Sequence, residues 1–283
     1  YFTYLVAYSS HYEGKLTLPW PCKYFLRSSN SIRIYSRDFL TSNDLSYQLK
    51  REVVFYGNPF MDNLSVYQSK FNEFSEIALL PGSRIKELIN NLNLMLDLLE
   101  RLANYKYFRK IQFNFALIPN LKQENVKKII EGREWKILNK SSESNQIKCC
   151  YKFINVKFKW NSFEDILNGC QLALSMSGTA AEQVVGLAKP VVQIEGDGPQ
   201  FTKSFADAQR RLLGNYVFCY TDYKNKDEQL EGTIKLLLKV IYLINLDKSF
   251  LKGCITNAKN RIGDKGATFK IISDIQRYFN YVT

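Results

Sequence analysis

The sequence is poor in the residues that metal sites and acid–base catalysis use most. Its 283 residues include a single histidine, His11, and none of its six cysteines lies in a C-x-x-C pair, so a Cys/His zinc site is excluded. No G-x-S-x-G motif is present, which argues against a serine hydrolase with a nucleophile elbow. We therefore expect neither a metal nor a cofactor. Unpatterned cysteines in a chain of this length are typical of a reduced, cytoplasmic protein.

Long apolar runs are also absent. The longest, Ile234–Leu246, is interrupted by two lysines and an asparagine, and it falls short of the roughly 20 apolar residues that span a bilayer. The run predicts a packed helix, and the sequence shows no signal peptide. Because the chain begins at Tyr1 in a predicted strand and its first methionine is Met61, we expect it to be part of a longer protein.

Positive charge exceeds negative charge. The 39 Lys and Arg residues against 27 Asp and Glu residues give a net charge of +12, which predicts anionic partners: nucleotide phosphates, anionic lipid surfaces or nucleic acid. The basic residues are scattered and no RNA- or DNA-binding motif is present, so we predict no nucleic-acid partner. The abundance of Lys, Asn, Ile, Tyr and Phe allows a plainer interpretation of the charge, a compositional bias of the genome.

Short β-rich runs alternate with helical patterns, which predicts an α/β fold with a parallel sheet covered by helices. The clearest helix runs from Arg84 to Ala103, with apolar residues at three- and four-residue spacing. The predicted strands are 3–7, 32–35, 53–56, 77–80, 111–117, 136–138, 153–158, 172–175 and 191–194.

Pro59 and the polar stretch 68–75 divide these strands into three before and six after. Six strands with their helices are enough for one doubly wound domain, whereas three make only the last part of one. We predict that residues 1–67 are the end of an N-terminal, acceptor-side Rossmann-like domain and that residues 68–265 form a nucleotide-sugar-binding Rossmann-like domain. Residues 266–283 are expected to form a C-terminal helix that packs back on the first domain.

The first candidate site is the turn Leu79–Arg84, L-L-P-G-S-R, between a buried strand and a helix. The first N–H groups of a helix have no internal partner and carry partial positive charge, which favours phosphate. Gly82 allows close approach of the backbone, Ser83 can donate, and Arg84 adds a cation. The alternative is an ordinary strand–turn–helix connection with Ser83 as its N-cap.

The second candidate site is the turn 175–182, S-M-S-G-T-A-A-E, where another strand leads into a helix. Small residues leave several amides exposed at the helix start, and Glu182 follows one turn later. The alternative interpretation is a capping box between Thr179 and Glu182. Two phosphate-type turns at the carboxyl ends of strands favour a ligand, because ligands of open α/β sheets bind at that edge.

A third loop follows the predicted strand 191–194 and reads E-G-D-G-P-Q-F over 195–201. Its two glycines and proline predict a shaped loop at the same edge of the sheet. Gln200 could hydrogen-bond a sugar hydroxyl, or it could merely cap a turn.

Three segments resemble the lipid-A-disaccharide synthase family. Residues 78–84, A-L-L-P-G-S-R, are similar to the start of the C-terminal domain of these enzymes, and 165–182 to their second donor-site segment. Residues 56–62, Y-G-N-P-F-M-D, resemble the interdomain V-G-H-P-L-x-D segment, with Asn58 in place of the histidine. The segments S-S-H-Y-E-G, L-P-W-P and G-D-G-P-Q-F-T are similar to those of a cyanobacterial group of synthase-related proteins.

This resemblance implies a GT-B fold of two Rossmann-like domains, of which the N-terminal one is incomplete here. It implies a glycosyltransferase that moves a sugar from a UDP-hexosamine-like donor to a lipid or glycolipid acceptor, compatible with peripheral contact with an anionic inner membrane surface. The donor-site residues fall into four groups. The resemblance places Gly82, Ser83 and Arg84 near the diphosphate, Ser177, Gly178 and Thr179 at the second phosphate-facing turn, Glu182 on the ribose hydroxyls and Gln200 near the donor sugar.

The catalytic base of such synthases lies in the N-terminal domain, before Tyr1. On the acceptor side, His11 and Glu13 are the ionisable candidates for catalysis or acceptor contact, and a loop histidine satisfied by backbone is the alternative. We expect this chain by itself to bind donor nucleotide without transferring sugar. Two other functions remain open: a non-hydrolysing UDP-sugar epimerase, which shares the GT-B fold, and a non-catalytic nucleotide-sugar-binding module.

Overall fold

The computed structural model describes residues 1–6, 8–13, 17–64, 74–138, 145–196 and 202–282, with backbone only at 13, 281 and 282. These residues form ten strands: β1 Phe2–Leu5, β2 Arg33–Ser36, β3 Glu76–Leu80, β4 Gln112–Leu117, β5 Lys136–Ile137, β6 Gln146–Tyr151, β7 Ile154–Trp160, β8 Leu172–Ser175, β9 Val191–Gln193 and β10 Val217–Cys219. The same residues form eleven α-helices: α1 Ser10–Glu13, α2 Trp20–Arg27, α3 Phe39–Leu49, α4 Ile85–Leu102, α5 Gln123–Glu131, α6 Phe163–Gly169, α7 Gly178–Gly186, α8 Lys203–Leu213, α9 Lys226–Leu246, α10 Lys248–Arg261 and α11 Ala267–Val282.

The main sheet has eight strands in the order β10-β9-β8-β3-β4-β7-β6-β5. From β3 the chain passes to β4, then to the edge strand β5, and returns through β6 to β7 beside β4. It then crosses to the other side of β3 and forms β8, β9 and β10 in order toward the opposite edge. The direction of winding therefore reverses between β3 and β8. In open α/β sheets this reversal leaves a crevice at the carboxyl ends of the two strands.

Successive side chains of each strand point to opposite faces of this sheet, so the hydrophobic core has one part on each face. Ile77 and Leu79 of β3 pack into a cluster with α4, α5 and α9, whereas Ala78 and Leu80 pack into one with α6 and α7. The amphipathic helix α4 buries Leu88, Leu92 and Leu99, as its spacing predicts. Burial on both faces explains why β3 and β8 consist almost entirely of apolar residues.

The sheet differs from its prediction at both edges. Strands β6 and β10 were not predicted, and β6 runs antiparallel to both β5 and β7, so the sheet is mixed rather than parallel. A hairpin turn with Lys152 at φ 51° joins β6 to β7, and no glycine or Asn-Gly pair signals it in the sequence. The third strand predicted near the N-terminus, 53–56, is reduced to a single bridge between Tyr35 and Val54.

A smaller layer contains β1 and β2, which pair in parallel and are covered by α2 and α3. Helix α11 packs on this layer: Phe2 contacts the rings of Tyr278 and Phe279 at 5.8 and 5.9 Å between centroids, and the Tyr35 hydroxyl donates to Asp274 (3.0 Å). The domain boundaries at 67/68 and 265/266 stay a prediction. Within the described residues no helix is both long and apolar enough to cross a membrane.

Asp62 fixes the start of α11. Its carboxylate accepts hydrogen bonds from the backbone N–H groups of Gly266 (2.7 Å), Ala267 (3.2 Å) and Thr268 (2.6 Å). Burial alone would raise the pKa of Asp62, but these hydrogen bonds outweigh it and hold the pKa below the usual 3.8. The stabilisation is therefore present above pH 3.8 and is lost as the pH falls through the lower pKa of the folded state.

Replacing Asp62 with Ala should lower the free energy of unfolding by about 1–2 kcal/mol at pH 7, because three helix-start donors lose their acceptor. Urea melts at pH 7 and pH 3 measure the effect, and the difference from the unchanged chain should shrink at pH 3. Asp222→Ala, at an exposed position, is the control and should alter stability by no more than about 0.5 kcal/mol. Equal effects of the two substitutions at pH 7 would contradict this role.

Candidate functional site

The two predicted phosphate turns leave the sheet side by side at the reversal point. Strands β3 and β8 pair in parallel with Leu80 opposite Ser175, and the N–H of Met176 donates to the carbonyl of Leu80 (2.9 Å). Each strand then leads directly into a helix, β3 into α4 and β8 into α7. The pairing register therefore brings the N-termini of α4 and α7 to the same crevice.

Gly82 shapes the first turn. Its φ of +105° is strained for any residue with a side chain, and a Cβ there would lie 3.6 Å from the Met176 carbonyl oxygen of the second turn. The Asn91 side chain donates to the carbonyl of Pro81 (2.8 Å) and holds the turn against α4. The N-cap of α4 is Arg84 rather than Ser83, and it makes no side-chain capping bond. Within the described part of the chain, the first N–H groups of α4 are thus left to water or a ligand.

The second turn is also uncapped. The N-cap of α7 is Ser177, whose side chain makes no capping bond, so the capping box between Thr179 and Glu182 does not form. The Ser175 hydroxyl is occupied within the turn, where it accepts from the Ser177 N–H (3.2 Å) and donates to the Ser177 carbonyl (3.0 Å). Among the residues that the structure describes, no side chain caps the first N–H groups of α7, which face the crevice.

Two adjoining cavities open at these turns. The smaller, of about 250 Å³ and here named the turn cavity, brings together the six residues predicted for the two turns. These residues are Gly82, Ser83, Arg84, Ser177, Gly178 and Thr179. Glu87 also lines the turn cavity, 4.0 Å from the Arg84 guanidinium, so the two side-chain charges offset each other and the helix N-termini supply the remaining positive potential.

The larger cavity, of about 710 Å³, is here named the apolar cavity. It shares Gly82, Ser83, Ser177 and Thr179 with the turn cavity, so the two cavities adjoin at the paired turns. Its remaining wall is largely hydrophobic and comes from the ends of β4 and β7 and the start of α6. That wall includes Leu117, Ile118, Pro119 and Phe163. None of these four residues was predicted, because each reads as core in the sequence.

Glu182 is held in a buried ion pair. Its Oε2 lies 2.7 Å from Nη2 of Arg37 and accepts from the Asn58 side-chain amide (3.3 Å). Glu182 and Arg37 are only 7% and 8% exposed. Burial alone would lower the pKa of Arg37, but the charge of Glu182 and its hydrogen bond raise it. Glu182 lines neither cavity in the described part of the chain, and its role on a ribose stays a prediction.

Tyr4 completes the surroundings of this ion pair. Its hydroxyl is buried without a hydrogen-bond partner among the described residues, and burial raises the pKa of Tyr4 to about 12. Arg37 and Tyr4 belong to the small layer and Glu182 to α7, so the pair joins the two layers. No local pattern in the sequence signals a partner for Arg37.

His11 lies away from the turns. Its Nε2 is 3.5 Å from Oδ1 of Asp38, whose carboxylate also accepts from the Ser9 hydroxyl (2.8 Å) and caps α3 at the Thr41 N–H (2.8 Å). Burial lowers the pKa of His11. The His11 side chain lines a third cavity of about 590 Å³, which shares no described lining residue with the other two. The Glu13 side chain and Gln200 lie outside the described residues.

Comparisons with known proteins were made at three levels. No protein-family model and no curated protein matches this sequence. Among solved structures, a protein described as a UDP-N-acetylglucosamine 2-epimerase from Listeria monocytogenes has a TM-score of 0.53 at 15% identity, over 89% of this chain and 60% of that one. The UDP-GlcNAc 2-epimerase from Neisseria meningitidis, bound to UDP-GlcNAc, has a TM-score of 0.51 at 17% identity, over 92% of this chain and 65% of that one. A further structure, described as a UDP-N-acetylglucosamine 2-epimerase, has a TM-score of 0.50 at 16% identity, over 89% of this chain and 58% of that one.

These similarities concern the fold, and the chain spans less than two thirds of the length of each of the three proteins. The predicted α/β fold of the GT-B type is confirmed. The more specific resemblance to lipid-A-disaccharide synthases stays a prediction.

The buried ion pair yields a prediction about stability. Replacing Arg37 with Ala leaves the Glu182 carboxylate buried without its cation and should lower the free energy of unfolding by about 3–5 kcal/mol. The double variant R37A/E182A should lose less than the sum of the single variants, because the two groups are coupled. Chemical denaturation of the unchanged chain, of the single variants R37A and E182A and of the double variant measures this coupling.

Arg101→Ala serves as the control, since Arg101 pairs with Asp227, which is 79% exposed, and should cost about 1 kcal/mol or less. If Arg37→Ala were no more destabilising than Arg101→Ala, the pair would not hold the two layers together.

Proposed function

We propose that the chain binds a UDP-sugar at the paired turns. The single observation that carries this proposal is the convergence of two uncapped helix N-termini, those of α4 and α7, on the turn cavity at the reversal point of the sheet. Backbone N–H groups at such a point suit a diphosphate, whose charge the two helix dipoles also favour. Gly82 and Gly178 both line the turn cavity, and neither adds a side chain to it.

The shared wall of the two cavities supports a nucleotide rather than a free phosphate. A diphosphate in the turn cavity would place its attached groups against Ser83 and Thr179, which line both cavities. The apolar cavity, with Pro119 and Phe163 in its wall, is large enough and hydrophobic enough to accept the nucleobase and part of the ribose. The UDP-GlcNAc bound to the Neisseria meningitidis protein supports a UDP-hexosamine as the sugar nucleotide.

For the reaction we propose transfer of the hexosamine to a lipid or glycolipid acceptor. The amides of both helix starts and Arg84 would stabilise the charge that develops on the leaving UDP, without any covalent contribution from the chain. Among the described residues that line the turn cavity, Glu87 is the only acid and none is histidine, so few groups there could exchange protons with a sugar. This favours transfer, with the base supplied from the acceptor side.

Epimerisation of the UDP-sugar is the second candidate, supported by the names of the three similar structures. An assay of UDP-GlcNAc with and without lipid extract distinguishes the two. Release of UDP only with the extract supports transfer, and a new sugar isomer without UDP release supports epimerisation. Binding without either product identifies a nucleotide-sugar-binding module.

The charge pair in the turn cavity gives a sharp test of binding. UDP should raise the melting temperature, since it binds the native state alone. Glu87→Gln removes a negative charge and frees Arg84, so UDP should bind about threefold to tenfold more tightly. Arg84→Gln should weaken binding by a similar factor, and calorimetric titration measures both.

Arg109→Gln is the matched control, because Arg109 is exposed and lines none of the three cavities. UDP affinity should be unchanged in this variant. Failure of UDP to bind the unchanged chain, or equal affinities of the Glu87 and Arg84 variants, would contradict the proposed site.

A further inference from the structure

The third cavity, here named the arginine cavity, carries an excess of positive charge. Arg210, Arg211 and Arg261 line its volume of about 590 Å³, and none of the described lining residues is Asp or Glu. His11, which also lines it, has a pKa lowered by burial and is largely neutral at pH 7. Three arginines therefore line one concave space, and the described part of its wall contains no acid.

Nearby acids compensate only part of the charge of the three arginines. Arg261 Nη1 donates to the carbonyls of Arg211 (3.0 Å) and Leu212 (3.3 Å), which positions its guanidinium at the end of α8. Burial lowers the pKa of Arg261, and the negative charge of Asp38 acts in the opposite direction without outweighing it. Among the described residues no carboxylate lies within 4.0 Å of Arg211, and Arg210 has only the exposed Asp207 at 3.6 Å.

The remaining wall gives the cavity a mixed character. Leu40, Phe218 and Leu236 form apolar parts of it, and Ser10 and Asn215 add groups that can hydrogen-bond. A volume of this size matches the clefts that hold small organic ligands. Planar guanidinium groups bind phosphate oxygens two at a time, and a phosphate monoester brings about 1.5 to 2 negative charges to the three cations, more than one carboxylate does.

We propose that the arginine cavity is a second ligand site, which binds a compound that carries a phosphate monoester. It is separate from the paired turns and does not depend on the function proposed for them. Helix α8 connects the two sites: Phe205 lines the turn cavity and Arg210 the arginine cavity, about 8 Å further along the helix axis. Both sites could therefore be occupied at once.

Calorimetric titrations of the 283-residue chain test this site. The probes are inorganic phosphate, glucose 1-phosphate, and vesicles of phosphatidylcholine with and without phosphatidic acid, which separate a soluble phosphate ester from a lipid headgroup. The variants are R210Q/R211Q for the arginine cavity, Arg84→Gln for the turn cavity and Arg109→Gln as the control. Arg210 is 59% exposed and Arg211 is exposed, so the double variant should fold, which its melting curve verifies.

We expect the unchanged chain to bind at least one phosphate monoester, and R210Q/R211Q to bind it at least about tenfold more weakly. Arg84→Gln and Arg109→Gln should retain that binding, and R210Q/R211Q should retain any affinity for UDP. Absence of binding by the unchanged chain, equal affinity in R210Q/R211Q, or loss confined to Arg84→Gln would overturn the second site. A chain that binds the monoester but not UDP would refute the nucleotide proposal alone.

Discussion

The parallel pairing of β3 with β8 is the constraint from which the candidate site follows. Because Leu80 stands opposite Ser175, the two chains leave the sheet at the same level and both turn directly into helices. Two partial positive charges then lie close together, and neither Arg84 nor Ser177 caps its helix with a side chain. Such an arrangement is favourable only when water or an anion satisfies the free N–H groups, which explains why a cavity occurs at this place.

A second constraint joins this site to the small layer. The ion pair between Arg37 and Glu182 is buried, so each charge depends on the other for its compensation. The pair fixes α7, and with it the second turn, relative to β2. Arg37 and Asn58 both contact Oε2 of Glu182, so a ribose hydroxyl at that oxygen atom would compete with the observed ion pair.

The parts of the fold that are encoded locally could be predicted from the sequence. The bounds of β8 agree with their prediction, and α4 differs from its prediction by one residue at each end, because its apolar spacing is regular over five turns. Strand β6 was missed because its turn to β7 carries no glycine signal, and β10 because three residues are too few to show a period. The six turn residues could be predicted because each turn is one continuous segment.

Features assembled from distant segments could not be predicted in this way. Arg37 and Glu182 are far apart in the chain, and nothing near either residue identifies the other. The arginine cavity draws Arg210 and Arg211 from α8 and Arg261 from α10, three of many scattered basic residues. Only the folded chain shows that these cations share one concave wall, whereas the net charge of +12 shows merely that anions are favoured.

Hydrogen–deuterium exchange of the chain with and without UDP tests the central claim most directly, since it reports on the helix-start amides themselves. Nucleotide bound at the paired turns should slow exchange in residues 82–87 and 177–181, whose N–H groups would donate to the diphosphate, and leave residues 210–219 unchanged. Exchange that is unaltered at both turns, or slowed only at 210–219, would contradict a nucleotide site at the reversal point of the sheet.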